Sequence, residues 1–488
     1  MTRRRHDFCV FCAVAVAVID FLMFTSASTA QAQEKPISFI KDVAPILKEY
    51  CFTCHDGKKK SGKYDMTTPE KLLEGGSAGE PIVAGMPDKS DFYDLIVTKD
   101  DRRMPPRDKG EAMPSAKAAI VAKWIKGGAK FDADLGAKAD LWKELRTRWT
   151  PPSPPKAYAF PVVVNALAFT PDAKSLVVGG HHELTVWDVE TGKLKKRIHT
   201  RPERAYGLTF LADGKLAVAG SRPGQEGDVR VYDINAKGKD DAGVEVLDGV
   251  NDKKVMLKVL FDVDDSVLAL AASADGKKLA AGGCDRAVRI YDLSGGYDKA
   301  KLEQTIENHA DWVLGVALTK DGKYLLTAGR DKTAKVWDLA KKESVITIPE
   351  HQDIVYGVAA GPDGTLGFSV GADKNIRSWK TAGDGKSVKT GGGHGDQVLK
   401  IAISPKTPMI ATGSKDKSVR LWSVDDLKAS KTLSGLTDEV FALAFSPDGN
   451  LVAGGSYDGE VRIWKVADGS VARGFNASPG YVAKTAGK

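Results

Sequence analysis

Cysteine is scarce in this chain, five among 488 residues, which excludes a disulfide-built scaffold. Charge of one sign is scarce too. The 71 basic and 64 acidic side chains leave a net +7 spread thinly, and the densest basic run, Lys58-Lys59-Lys60, is only three residues long. A nucleic-acid footprint needs basic charge gathered into a stripe, so nucleic acid is not an expected partner. Only one long apolar run exists, Phe8 to Phe24, and Asp20 interrupts it. A spanning helix needs about 20 apolar residues, so a multi-span membrane protein is excluded. Histidine is also rare, eight in all, and six of these lie beyond residue 180. What is present, 42% apolar and 28% charged residues, is the composition of a globular protein of two or more domains.

The N-terminus places Arg3-Arg4-Arg5 before that apolar run and a small-residue run, Ser26 to Ala32, after it. Basic, apolar and small segments in this order make a secretory signal, and Ala30-Gln31-Ala32 fits the cleavage rule. Residues 1–32 are therefore expected to be a signal peptide. The mature chain is expected to have no transmembrane segment and to be secreted, most naturally into a periplasm. Cys9 and Cys12 would leave with the signal.

Two of the remaining cysteines carry chemistry. Residues 42–57, DVAPILKEYCFTCHDG, read as a helix capped by Asp42, with Val43, Ile46, Leu47 and Tyr50 on one face, ending at Cys51-Phe52-Thr53-Cys54-His55. The C-x-x-C-H spacing lets two thiols add to the vinyl groups of one haem c while the next residue offers an imidazole to the iron. A thioredoxin-type pair would need a βαβ context, and a zinc site would need more thiols or histidines nearby. Cys51 and Cys54 are thus the expected thioether residues and His55 the proximal ligand. No second histidine stands in this region, so the distal ligand is expected among Met66, Met86, Met104 and Met113. Met104 is favoured, because Arg103-Met104-Pro105-Pro106 imposes an extended backbone able to present a side chain across a haem face. A helix is expected to start near Ser115, with Ala116, Ile120 and Trp124 on one stripe and Gly127-Gly128 to stop it.

These pieces together resemble the planctomycete-type cytochrome c domain. The matching strings are DVAPIL before the haem motif, Leu72-Leu73-Glu74-Gly75-Gly76, Pro87-Asp88-Lys89-Ser90, Met104-Pro105-Pro106 and Trp124-Ile125-Lys126-Gly127-Gly128. The resemblance implies a small helical c-type cytochrome over residues 37–131 with Met104 as distal iron ligand. Met86 departs from the family's small or acidic residue before its proline.

Beyond residue 131 the sequence predicts a short helix, Ala137 to Trp149, and then Thr150-Pro151-Pro152-Ser153-Pro154-Pro155. Such proline density favours a polyproline II rod of about 3.1 Å per residue. From residue 162 a unit repeats: strand, Asp-Gly-type turn, strand, short turn, then a strand ending in Trp187, Tyr232, Tyr291, Trp337, Trp379, Trp422 or Trp464. The gaps of 45, 59, 46, 42, 43 and 42 residues have the period of a WD-repeat β-propeller, which the chain resembles also in Trp187-Asp188 and Trp337-Asp338. The long gap predicts an insertion at 238–265, a protruding hairpin or loop. Three units share His309/Thr327/Asp331/Trp337, His351/Ser369/Asp373/Trp379 and His394/Thr412/Asp416/Trp422 at identical spacings. Each set can run a hydrogen-bond chain from aspartate through imidazole and hydroxyl to indole, so these histidines are expected to be structural. His181-His182 is expected to be an exposed turn. The outer strand of the last blade could come from Tyr158–Phe160 or Ser470–Phe475, and the WD-repeat resemblance favours the former.

The fold expected is multidomain: a signal at 1–32, a small all-α c-type cytochrome at 37–131, a helical and Pro-rich linker at 132–157, an all-β seven-bladed propeller at 158–476 and a flexible tail at 477–488. The expected function is electron transfer by one covalently attached haem with His/Met-ligated iron. The propeller would serve as a docking platform for a redox partner or another protein. A redox enzyme with a catalytic propeller, and an envelope scaffold protein, are the alternative readings.

Overall fold

The computed structural model describes residues 37–57 and 59–482; the expected signal, residues 1–32, lies outside them. The described chain divides into two compact units, with the boundary between Arg148 and Trp149.

The regular elements of the first unit are helical: a π-type turn Phe39–Val43, then α1 (Ala44–Tyr50), α2 (Pro69–Glu74), α3 (Asp91–Val97), α4 (Ser115–Lys126) and α5 (Leu141–Arg148). The entry cap is Ser38 rather than Asp42. Ser38 Oγ accepts from the Lys41 amide, and the Asp42 carboxylate accepts from the Ser38 amide at 2.8 Å, so the two satisfy each other's end of the turn. α4 begins at Ser115 and stops at Gly127-Gly128, as its sequence predicts, but its buried stripe is Ala118, Val121, Trp124 and Ile125, while Ala116 is exposed. That stripe packs into one core with Phe39, Leu47, Phe52 and Leu72. Phe39 sits between Trp124 and Phe131, with ring centroids 5.1 and 4.6 Å away.

The segment expected to be a linker at 132–157 is divided between the two units. Leu135 and Leu141 are buried in the first core, Trp142 tilts against Phe52 at 5.6 Å, and the Leu141 amide bonds to Thr67 O. α5 is amphipathic and short, and its apolar side finds cover only on that core. The prolines belong to the second unit and are not a free rod. Arg201 donates to Trp149 O, His199 Nε2 to Pro152 O at 3.0 Å, and Arg197 to Pro155 O at 2.8 Å. Proline segments leave their carbonyls without partners, and here these side chains supply them.

The second unit is seven antiparallel four-stranded blades in chain order. The 17-residue strand Leu194–Phe210 serves two of them: Leu194 to His199 forms the outer strand of blade 1, and Arg204 to Phe210 the inner strand of blade 2. The inner strands of blades 3 to 7 are Val267–Ala272, Val313–Leu318, Val355–Ala360, Val398–Ile403 and Val440–Phe445. Each inner strand meets the next, and Leu167–Phe169 of blade 1 lies against Val440–Phe445 of blade 7, which closes the ring. In blades 1, 3, 4 and 7 the hairpin after the inner strand is built by a Ser or Thr and an Asp two residues on. Ser273 Oγ donates to Asp275 at 2.6 Å and Thr319 Oγ1 to Asp321 at 2.6 Å, while Gly276 and Gly322 take the positive φ that the turn requires.

Ring closure differs from the favoured expectation. The outer strand of blade 7 is Val471–Asn476, paired with Glu460–Lys465 through a short loop, so Tyr158–Phe160 adds no strand. A contiguous hairpin costs far less loop closure than pairing segments some 300 residues apart. The N-terminal segment still ties the ends: the Tyr158 amide bonds to Pro479 O, Val162 to Ser478 Oγ and Val164 to Ser456 O. Ala477 and Ser478 are consequently buried and are not part of a free tail.

The expected insertion at 238–265 is also two things. Residues Met256–Val263 are the outer strand of blade 2. The true insertion is a hairpin, Lys239–Asp241 and Val244–Asp248, whose second strand pairs in parallel with Lys196–His199, so it widens blade 1 rather than protruding.

One position of each inner edge faces the next blade, and in blades 2 to 7 it directly follows a β-bulge: Ala166, Gly207, Ala269, Gly315, Gly357, Lys400 and Ala442 in ring order. Space there is tight. A Cβ on Gly207 would stand 2.8 Å from Leu270 Cβ, and one on Gly357 3.0 Å from Ile401 Cγ2.

Candidate functional site

α1 stops at Cys51, whose amide bonds to Leu47 O at 2.8 Å, and the chain then coils so that the His55 amide bonds to Cys51 O at 3.0 Å. This turn brings Cys51, Cys54 and His55 together. Burial pushes the Cys51 thiol up to about 12, with the neighbouring Cys54 adding to the effect. Burial also holds the His55 imidazole below its ordinary value, against the opposing hydrogen bond to the Tyr64 carbonyl. That bond, at 3.3 Å, is made by Nδ1. A carbonyl can only accept, so Nδ1 carries the proton and Nε2 keeps a free lone pair, the arrangement of a metal-ligating histidine. Tyr64 is itself pinned, its hydroxyl donating to Leu72 O at 2.5 Å and its ring lying edge-on to His55 at 5.6 Å.

All four expected site residues line one cavity of about 350 Å³: Cys51, Cys54, His55 and Met104. Phe92, Leu95 and Ile96 of α3 and Pro105-Pro106 supply apolar wall. The Met104 segment is tied to α3 by its amide, which bonds to Leu95 O at 2.7 Å. Of the other methionines, Met66 touches the cavity but is buried in the core, Met113 is core, and Met86 is exposed away from it. Two thiols, an imidazole with a free nitrogen, a thioether and an apolar wall make a donor set that fits a covalently held haem.

The family described as planctomycete cytochrome C matches residues 51–108, from Cys51 past Met104. The WD domain, G-beta repeat, matches five segments, 257–292, 300–338, 342–380, 385–423 and 427–465, each running from the outer strand of one blade through the first three strands of the next, from blade 2 to blade 7. The chain joins a planctomycete cytochrome c domain to WD repeats. Curated relatives include transcription factor unc-37 of Caenorhabditis elegans, 28% identical over 131 residues, 27% of this chain and 18% of that protein. Another is U3 small nucleolar RNA-associated protein 12 of Saccharomyces cerevisiae, 26% identical over 132 residues, 27% of this chain and 12% of that protein. The chain thus matches under a fifth of the length of either.

The WD repeats place their histidines as the spacings predict. His309 bonds Asp331 at 2.9 Å through Nδ1 and Thr327 at 2.7 Å through Nε2, and Trp337 donates to the same hydroxyl at 3.0 Å. His394 bonds Asp416 at 2.8 Å and Thr412 at 2.7 Å, with Trp422 donating to Thr412 at 2.7 Å. His351 follows the same plan with Ser369 and Asp373, and Arg377 adds a second donor to Asp373 at 2.6 Å. Both ring nitrogens of each histidine are engaged, so none is free for a metal. Among the described residues no group of three His, Cys, Asp or Glu could hold one.

Two residues of consequence carried no signal in the sequence. Tyr64, which orients His55, stands nine residues past the haem motif in a loop without pattern. Arg102, next but one before Met104, lines the cytochrome cavity and pairs with Asp100 and Asp94 at 2.9 and 3.2 Å. The expected exposed turn at His181-His182 needs correction. His181 is exposed, but His182 sits at positive φ, is buried beside the Trp149 ring at 5.6 Å, and is lowered to about 4 by burial and then by His181.

Proposed function

We propose that the protein is a secreted, periplasmic monohaem c-type cytochrome that transfers electrons, with its propeller docking a protein partner. The observation that carries the reading is the single cavity gathering Cys51, Cys54, His55 and Met104. Haem c, when bound, supplies a one-electron couple. Cys51 and Cys54 would hold it through thioethers, His55 Nε2 and Met104 Sδ would ligate its iron, and Arg102 would offer a cation to its carboxylates. Tyr64 O keeps His55 in the tautomer that can ligate, and α3 with Pro105-Pro106 excludes water. With an imidazole and a thioether both on offer to the iron, no position would be left for substrate, which favours electron transfer over catalysis, and a thioether ligand would raise the potential. The five WD repeats and the seven closed blades support docking of a partner, and the engaged blade histidines count against a catalytic propeller.

Production in a host that matures c-type cytochromes tests this reading. Haem should stay on the chain in a denaturing gel, and be lost in the Cys51→Ser/Cys54→Ser double variant. The reduced wild-type protein should ignore carbon monoxide, while Met104→Ala should bind it. Ready carbon monoxide binding by the wild type would overturn the electron-transfer reading. Export should yield a mature N-terminus just after Ala32.

A further inference from the structure

The axis of the propeller is a narrow channel of about 170 Å³, walled by the seven inner strands. One position in every blade abuts the neighbouring blade in this wall. Six blades place glycine or alanine there, at Ala166, Gly207, Ala269, Gly315, Gly357 and Ala442, and the reason is steric, since Cβ atoms at Gly207 and Gly357 would already touch the adjacent strand. The sixth blade places Lys400 there instead. Among the described residues it is the only charged one of the channel wall.

Its surroundings offer the charge nothing. The side chain keeps partial exposure through the channel, and packing among the blades holds its amine below the ordinary lysine value. Among the described residues no hydrogen bond or ion pair reaches its Nζ. Among the described residues the wall contributes three other polar side chains, Asn165, Tyr206 and Tyr356, and the Tyr356 hydroxyl already donates to Gln397 Oε1 at 2.9 Å. A lone cation facing a narrow, low-dielectric channel without a counter-charge focuses its field there and attracts an anion. It replaces, at one seventh of the ring, a residue the other six blades show to be sufficient for packing.

We propose that the axial channel is a binding site for a small monocarboxylate, whose carboxylate pairs with Lys400 Nζ. A single fixed positive charge matches a single negative one. A dianion such as hydrogen phosphate would leave net charge in a channel with no second cation. The volume limits the ligand to a short chain, and the Asn165 amide is available to a polar substituent on it. This site lies wholly within the propeller, apart from the haem cavity, and does not depend on the electron-transfer reading.

Titration calorimetry of the full-length holoprotein with sodium acetate, against a sodium chloride control of equal ionic strength, tests the proposal. The wild type should bind acetate saturably with a dissociation constant of about 1 mM or tighter. Lys400→Ala, which installs the residue of three other blades and should fold, is expected to weaken binding at least ~10-fold. Lys400→Met, which keeps length without charge, should show the same loss. Two results would overturn the site: wild-type protein with no saturable binding below ~10 mM, or either neutral variant binding acetate as tightly as the wild type. Sodium phosphate binding in preference to acetate would overturn the monocarboxylate assignment.

Discussion

Asp373 and Asp416 each sit half-buried in a turn, which alone would raise their carboxyl groups. Hydrogen bonds from His351 to Asp373, and from Ser418 and His394 to Asp416, more than reverse that, and both are held down at about 2. A carboxylate depressed below its ordinary 3.8 contributes stability that is complete above about pH 4 and is lost as pH falls toward 2. Asp416→Asn should therefore cost about 1–2 kcal/mol at pH 7, after discounting for its partial exposure, and the gap to wild type should close below about pH 3. Urea unfolding of the propeller, followed by tryptophan fluorescence at pH 7, 4 and 2.5, measures it; a gap unchanged at pH 2.5 would refute the linkage. These sets were legible in the sequence because each repeat returns the same side chains to the same turn at the same spacing. That Cys51, Cys54 and His55 meet was legible because the three lie within one turn of chain. His182 was not, since the Trp149 ring that buries it lies 33 residues away and belongs to no repeat.

At the scale of the strand, blade 5 solves its packing differently from its neighbours. Trp337, Trp422 and Trp464 stand opposite Leu325, Ile410 and Val452 on the adjoining strand, but Trp379 stands opposite Gly367. The indole of Trp379 lies flat over that glycine and is wholly buried; a Cβ there would fall 2.1 Å from Cζ3. Gly367→Ala should thus destabilise the propeller by about 1–3 kcal/mol, since neither ring nor backbone has room to retreat. Thermal melts should show a loss of several degrees, whereas Gly214→Ala, at positive φ but facing open space, should cost less. The same scale explains what the sequence concealed about the inserted hairpin. The 59-residue gap reveals that something is added, but Met256–Val263 reads as part of the insertion until its pairing with Glu226–Tyr232 is seen. Parallel pairing of Val244–Asp248 with the outer strand of blade 1 joins residues some 50 apart, and no local pattern encodes such a contact.

At the scale of the whole ring, the count of seven was written in the spacing of the aromatics, but the way the ring closes was not, because two segments of similar composition could supply the last strand. In the structure no strand is exchanged. Blade 7 is complete within its own segment, and the first and last blades meet by side-chain packing, with Trp187 stacked on Phe475 at 4.5 Å and Arg473 donating to Glu190 O. What locks this seam is a short ladder across the chain ends: Val162 to Ser478, Tyr158 to Pro479, and the Ala477 amide to Gly459 O at 2.7 Å. Each buried bond contributes about 0.5–1.5 kcal/mol, so ending the chain at Asn476 should cost about 2–4 kcal/mol, although every strand of the propeller remains. Calorimetry should place the propeller transition of that truncated chain ~5–10 °C below the full-length protein, while a chain ending at Tyr481, which keeps all three bonds, should melt as the full-length protein does. If truncation at Asn476 leaves the transition unmoved, strand packing alone holds the seam and the ladder is dispensable.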